Sequence, residues 1–145
     1  MSSMISAYEG EKRSYQTQID SLRTEESKYI KLYESLRVFK GKVEAAQINF
    51  NEINNFKFNM LQELSQVEKN SVAAKKYHEN MNNTLEKTGK NVVSSAYTGL
   101  MRLISRKIKI YSSEISRCNA EIRSYTTKIN SLDGRIRELQ RAEEK

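Results

Sequence analysis

Residues 108–139 read IKIYSSEISRCNAEIRSYTTKINSLDGRIREL, with an isoleucine at every seventh place: Ile108, Ile115, Ile122, Ile129 and Ile136. A second series, Ile104, Tyr111, Cys118, Tyr125, Leu132 and Leu139, stands between them, so apolar residues recur at alternating steps of three and four. A helix turns once in about 3.6 residues, so this alternation keeps both series on one face, whereas a strand with its period of two would scatter them. The repeat is a heptad with isoleucines at a and the mixed series at d; one heptad back it takes in Tyr97 and Met101.

The flanks of this stripe say what it faces. The g series is Lys107, Glu114, Glu121, Lys128 and Arg135, but the e series is Ser105, Ser112, Asn119, Thr126, Asp133 and Gln140, almost without charge. A parallel self-pairing zipper would set its register by complementary e and g charges. Small polar e positions suit close approach by an antiparallel neighbour or an unlike helix.

Two further stripes precede it. At the N-terminus Ile5, Tyr8, Tyr15, Ile19, Leu22, Tyr29, Tyr33 and Leu36 keep the same alternation, interrupted by Lys12 and Glu26. Tyrosines combine apolar area with a polar tip and are frequent at partly wet interfaces. Tyr8, Tyr15, Ile19, Leu22, Tyr29, Tyr33 and Leu36 are therefore the candidate partner interface. In the middle, Val43, Ala46, Phe50, Ile53, Met60, Leu64, Val67, Ala74, Met81 and Leu85 fit a stripe, with Lys57, Ser71 and His78 in its gaps.

Gly41 is one candidate break, and Thr88–Asn91, reading TGKN, is a better one, because Gly89 can take the left-handed conformation that ends helices. Asparagines crowding residues 49–59 favour a bend there, since their side chains compete for the backbone. The expected fold is all-α: an elongated hairpin or bundle of two to three long helices with coiled-coil heptads, over about 4–40, 43–87 and 91–142, making one domain over residues 1–145.

Composition agrees. The chain has 145 residues, 37% hydrophobic and 30% charged, without a proline to stop a helix and without tryptophan. One cysteine, Cys118, excludes an internal disulfide and fits a reducing compartment. The first residues, MSSMISAYEGEKRSYQTQ, show neither a secretory pattern nor a membrane span, so the expected location is cytoplasmic, with export open only to a route that needs no cleaved signal.

Catalytic chemistry has no foothold. His78 is the only histidine, so no two-histidine metal site exists, and the TGK of Thr88–Lys90 fails as a phosphate loop because Thr84 and Asn91 stand where glycine and serine or threonine are required. Neither catalytic residues, a metal nor a cofactor is expected. Net charge is +7 and concentrated late: residues 90–145 hold 12 Lys+Arg against 6 Asp+Glu. Arg102, Arg106, Lys107 and Lys109 form the densest cluster, read as a solvated helix face because they fall off the stripe and no nucleic-acid motif accompanies them.

The two helical arms, the aromatic-x-glycine step Tyr97-Thr98-Gly99 and the cadence of residues 108–139 together resemble the small α-helical partners encoded beside LXG toxins in type VIIb secretion, relatives of the WXG100 proteins. The resemblance implies a non-enzymatic, chaperone-like protein that binds the helical N-terminal domain of an LXG-type toxin and helps present it for export. It also implies that Tyr97 and Gly99 mark the entry to the terminal helix, after the break that Gly89 offers. No tyrosine here has an acidic residue four places later, which leaves the family's export signal to a second small helical protein.

Other readings of the stripes stay open. The isoleucines fit either the internal core of a three-helix bundle or a partner surface, with the N-terminal tyrosines the better exposed candidate. A homo-oligomeric coiled-coil scaffold or tether would show the same heptads. A nucleic-acid or anionic-membrane binder would use the late basic charge.

Overall fold

The computed structural model describes residues 2–67, 72–84 and 89–144. It is all-helical among these residues, with α1 over Ser2–Val67, α2 over Val72–Asn82 and α3 over Lys90–Glu144. Helices α1 and α3 run for 66 and 55 residues. Helices in proteins draw most of their stability from tertiary packing of one face, because helical propensity alone holds only marginal helices in water.

Helix α1 departs from the expected boundaries. It passes through Gly41 and through the asparagine-rich stretch around residue 54 without a break. A glycine costs a helix about 1 kcal/mol against alanine, which continuous burial of one face outweighs. That face includes Val43, Asn54 and Leu61, all buried. The expected helix over 43–87 is thus the end of α1 followed by α2. Ser71, Leu85 and Thr88 lie outside the described residues, as do the side chains of Leu64, Val67 and Ala74.

Three ring pairs fix the direction of the long helices. Tyr15 lies 5.6 Å from Tyr125, Tyr29 lies 5.8 Å from Tyr111, and Phe50 lies 6.2 Å from Tyr97 between centroids. As α1 numbers rise, α3 numbers fall: the two are antiparallel, as the uncharged e series suggests.

By packing, the chain divides into two compact units, Met1–Ser35 with Ile108–Lys145, and Leu36–Lys107. The first unit buries Ile19, Leu22, Cys118, Leu132 and Ile136. The second buries Val43, Leu61 and Ile104, together with the polar Asn54.

Candidate functional site

The N-terminal tyrosine stripe is not a free surface. Ile19 keeps only 2% of its area exposed and Leu22 is buried, while Tyr8, Tyr15, Tyr29, Tyr33 and Leu36 are half-buried. Tyr15 and Tyr29 meet the Tyr125 and Tyr111 rings of α3 at a tilt, and the Arg135 guanidinium stands 6.0 Å over the Tyr8 ring. Of the candidate partner interface, Ile19 and Leu22 are thus packed inside the chain, while Tyr8, Tyr15, Tyr29, Tyr33 and Leu36 keep part of their surface exposed. The physical reason is that two stripes of like period on one chain, separated by a return segment, bury more area against each other than either does in water.

The isoleucine stripe of α3 lies on the same seam. Ile104, Leu132 and Ile136 are buried, and Ile108, Tyr111, Ile115, Ile122, Tyr125, Ile129 and Leu139 are half-buried. Half-burial follows from a thin two-helix packing that leaves ring edges and chain ends wet. Lys12, which interrupts the N-terminal stripe, is met by Asp133 at 2.5 Å and Glu9 at 3.8 Å. Its ammonium pKa is raised, first by the bond to Asp133 and against a smaller loss from desolvation. Glu26, the other interruption, keeps one carboxylate oxygen buried without a hydrogen-bond partner.

Arg117 gathers three carboxylates. Its guanidinium donates to Glu25 across the helix pair at 2.5 Å, to Glu114 at 2.9 Å and to Glu121 at 3.2 Å. Its pKa is pushed further up, first by Glu114, then by Glu25 and Glu121 against desolvation. The spacing of Glu114 and Glu121 about Arg117, three residues before it and four after it along one helix, was legible as an i, i+3 and an i, i+4 pair. That Glu25 joins it was not, because only the register of α1 on α3 brings it there. These groups are partly exposed and screened, so the cluster fixes register more than it stabilises.

Cys118, beside Arg117, is fully buried at 0% exposure. Burial pushes its thiol pKa up, with Arg117 opposing. A thiol so placed reacts only when the helix pair opens, so labelling of the folded chain with iodoacetamide should run about 100-fold or more below the rate in denaturant. Mass spectrometry over time checks this, and rapid labelling of the native chain would show that the unit does not close around Cys118.

The turn residues of the resemblance are placed differently from expectation. Tyr97 and Gly99 stand inside α3, seven and nine residues past its start at Lys90, and not at a turn. Gly89 does precede α3, but no described glycine takes a positive φ, so it is not a left-handed terminator. Its requirement is space: a Cβ there would stand 2.7 Å from the Thr84 carbonyl oxygen.

The middle stripe is a second correction. Val43 is buried and Phe50 half-buried as expected, but Ala46, Ile53 and Met60 are exposed. One residue further on, Gln47 is half-buried, and Asn54 and Leu61 are 7% and 6% exposed. A packed face that repeats at steps of three and four without insertion keeps its phase along the helix. Alternation carried on from Leu36 therefore selects Lys40, Gln47 and Asn54, and sets the apolar residues just before them outward. Within Leu36–Lys107, Val38, Phe39, Ile48, Ile53, Phe56 and Met60 of α1, Val72 and Tyr77 of α2, and Val92, Leu100 and Leu103 of α3 are exposed.

Other chemistry is sparse. Among the described residues no group of three or more His, Cys, Asp or Glu is arranged to hold a metal ion, and no helix is long and apolar enough to cross a membrane. His78 is half-buried on α2. Arg102, Arg106, Lys107 and Lys109 are all exposed. No known family model, no curated protein and no solved structure matches the chain.

Proposed function

We propose that this chain is a non-enzymatic, chaperone-like partner that binds the helical N-terminal domain of an LXG-type toxin and helps present it for type VII secretion. The single observation that carries the reading is the set of large apolar side chains left uncovered on α1 and α3 within residues 36–107. Soluble monomers seldom expose contiguous apolar area of this kind unless it binds something. The antiparallel pairing of α1 and α3 supports a helical binding module, and the cadence of residues 108–139 supports the secretion context. A second small helical protein bearing the export signal completes the proposed complex.

Co-expression with the LXG-type protein encoded beside it tests the reading. The expected result is a heteromer of fixed stoichiometry that survives size-exclusion chromatography, and loss of toxin secretion when this gene is deleted. Unimpaired secretion together with no heteromer refutes the assignment and leaves the homo-oligomeric scaffold as the account of the heptads.

A further inference from the structure

Six of the large apolar side chains left uncovered in residues 36–107 follow one pattern. Phe39, Ile53 and Met60 each stand one place before a residue of the packed α1 face, and Leu100 stands one place before Met101 on α3. Phe56 and Leu103 complete the pattern, so α1 shows a second alternation of three and four through Phe39, Lys42, Ala46, Asn49, Ile53, Phe56 and Met60. On α3 the equivalent positions are Leu100, Leu103 and Lys107. Such a series holds to one side of its helix, about 100° round from the packed face. Val38, Ile48, Val72, Tyr77 and Val92 fall elsewhere and are ordinary single exposed residues.

Antiparallel helices bring equivalent flanks together on one side, because reversing one helix mirrors the order of its flanks. The Arg117 cluster shows that rule in the other unit. Glu25, Glu114 and Glu121 each stand one place before the residues Glu26, Ile115 and Ile122 of the stripe, and all three meet at one guanidinium. In residues 36–107 the corresponding flank carries apolar groups, so α1 and α3 together present a two-helix seam open to a third helix.

We propose that this seam docks an amphipathic helix from another protein, with apolar residues at steps of three and four and acidic flanks. This rests on the reading of the chain as a helix-binding partner, but not on the identity of the toxin. Spacing sets the helical occupant, since knobs at that period fill holes of the same period. Charge sets the sign: residues 36–107 hold 12 Lys+Arg against 6 Asp+Glu, while the rest of the chain holds 13 against 12. Lys42 and Lys107 lie in the seam itself, at the same end by the antiparallel order. A second copy would bring together two segments that each carry a formal net charge of +6, with Lys42 and Lys107 in both seams. An anionic lipid surface would meet Ala46 and Asn49 mid-seam, where small and polar groups offer a hole for a knob but little apolar area to insert.

The test uses two synthetic peptides of four heptads with identical leucine seams, one flanked by glutamate and one by lysine, titrated by fluorescence anisotropy against the full chain. The glutamate peptide should bind at least about 10-fold tighter than the lysine peptide. Ile53→Asp with Phe56→Asp should weaken it by more than about 10-fold with helical circular dichroism unchanged, because both side chains are exposed, at 47% and 64%. Lys42→Gln with Lys107→Gln should narrow the preference between the peptides. No binding of the glutamate peptide, equal binding of the two, or indifference to the Ile53 and Phe56 changes overturns the proposal. A dimer of this chain abolished by the same changes assigns the seam to a second copy, and co-sedimentation with phosphatidylglycerol vesicles in place of peptide binding assigns it to lipid; either result also overturns it. Peptide binding with no toxin heteromer would leave the seam standing and remove the secretion assignment alone.

Discussion

Ile19→Ala should lower the stability of the unit built from residues 1–35 and 108–145 by about 2–5 kcal/mol, the range for truncating a buried aliphatic side chain in a packed core. Ile19 is 2% exposed and stands on α1 between Tyr15 and Tyr29, both of which are paired with rings of α3. Leu132→Ala and Ile136→Ala should fall in the same range, because both side chains are buried in the same unit. Ile110→Ala, on a half-exposed flank of α3, should stay within about 0.5 kcal/mol. Urea melts followed by circular dichroism at 222 nm, read beside the near-ultraviolet tyrosine signal, check all four. A charge at Ile19 should then unfold the unit, and any loss of a bound partner would accompany loss of helix. Release of a partner at full helicity by Ile19→Asp would contradict the packing and return the tyrosine stripe to the surface.

Replacing Gly10, Gly41, Gly99 and Gly134 together by alanine should raise stability by about 2–4 kcal/mol, each site contributing about 0.5–1 kcal/mol through reduced backbone entropy of the unfolded chain. All four stand within α1 or α3, and a Cβ built at any of them meets no atom within 4 Å. The sites are far apart along the helices, so their effects should add. Gly89→Ala should act in the opposite direction, by about 1–3 kcal/mol, because its Cβ would press on the Thr84 carbonyl. Thermal melts of the quadruple variant and of Gly89→Ala alone separate the two signs. Destabilisation by Gly41→Ala would show that α1 breaks where the sequence suggests, and a neutral Gly89→Ala would show that the approach to Thr84 is not maintained.

Helical class and stripe were legible in the residues themselves. An isoleucine every seventh place, a second apolar series between them and no proline dictate a long helix whatever surrounds it, because they depend only on helical geometry. The uncharged e series likewise pointed to antiparallel or unlike neighbours, which the pairing of Tyr15 with Tyr125 and Tyr29 with Tyr111 matches. Cys118 on the stripe was legible as a buried side chain, and so it is.

What covers what was decided only by the tertiary structure. The tyrosines of residues 8–33 and the isoleucines of residues 108–136 are each a stripe in search of area, and nothing local distinguishes a partner within the chain from one outside it. Glu25 reaches Arg117 only because α1 and α3 settle in one register. The middle of α1 shows the same limit most clearly. Judged by hydrophobicity alone its stripe runs through Ala46, Ile53 and Met60, but the packed face runs through Gln47, Asn54 and Leu61. A helix continuous from Ser2 to Val67 carries one phase along its length, and the face established by Ile19, Leu22 and Val43 holds that phase even where it buries an asparagine and turns Phe39, Ile53 and Met60 outward.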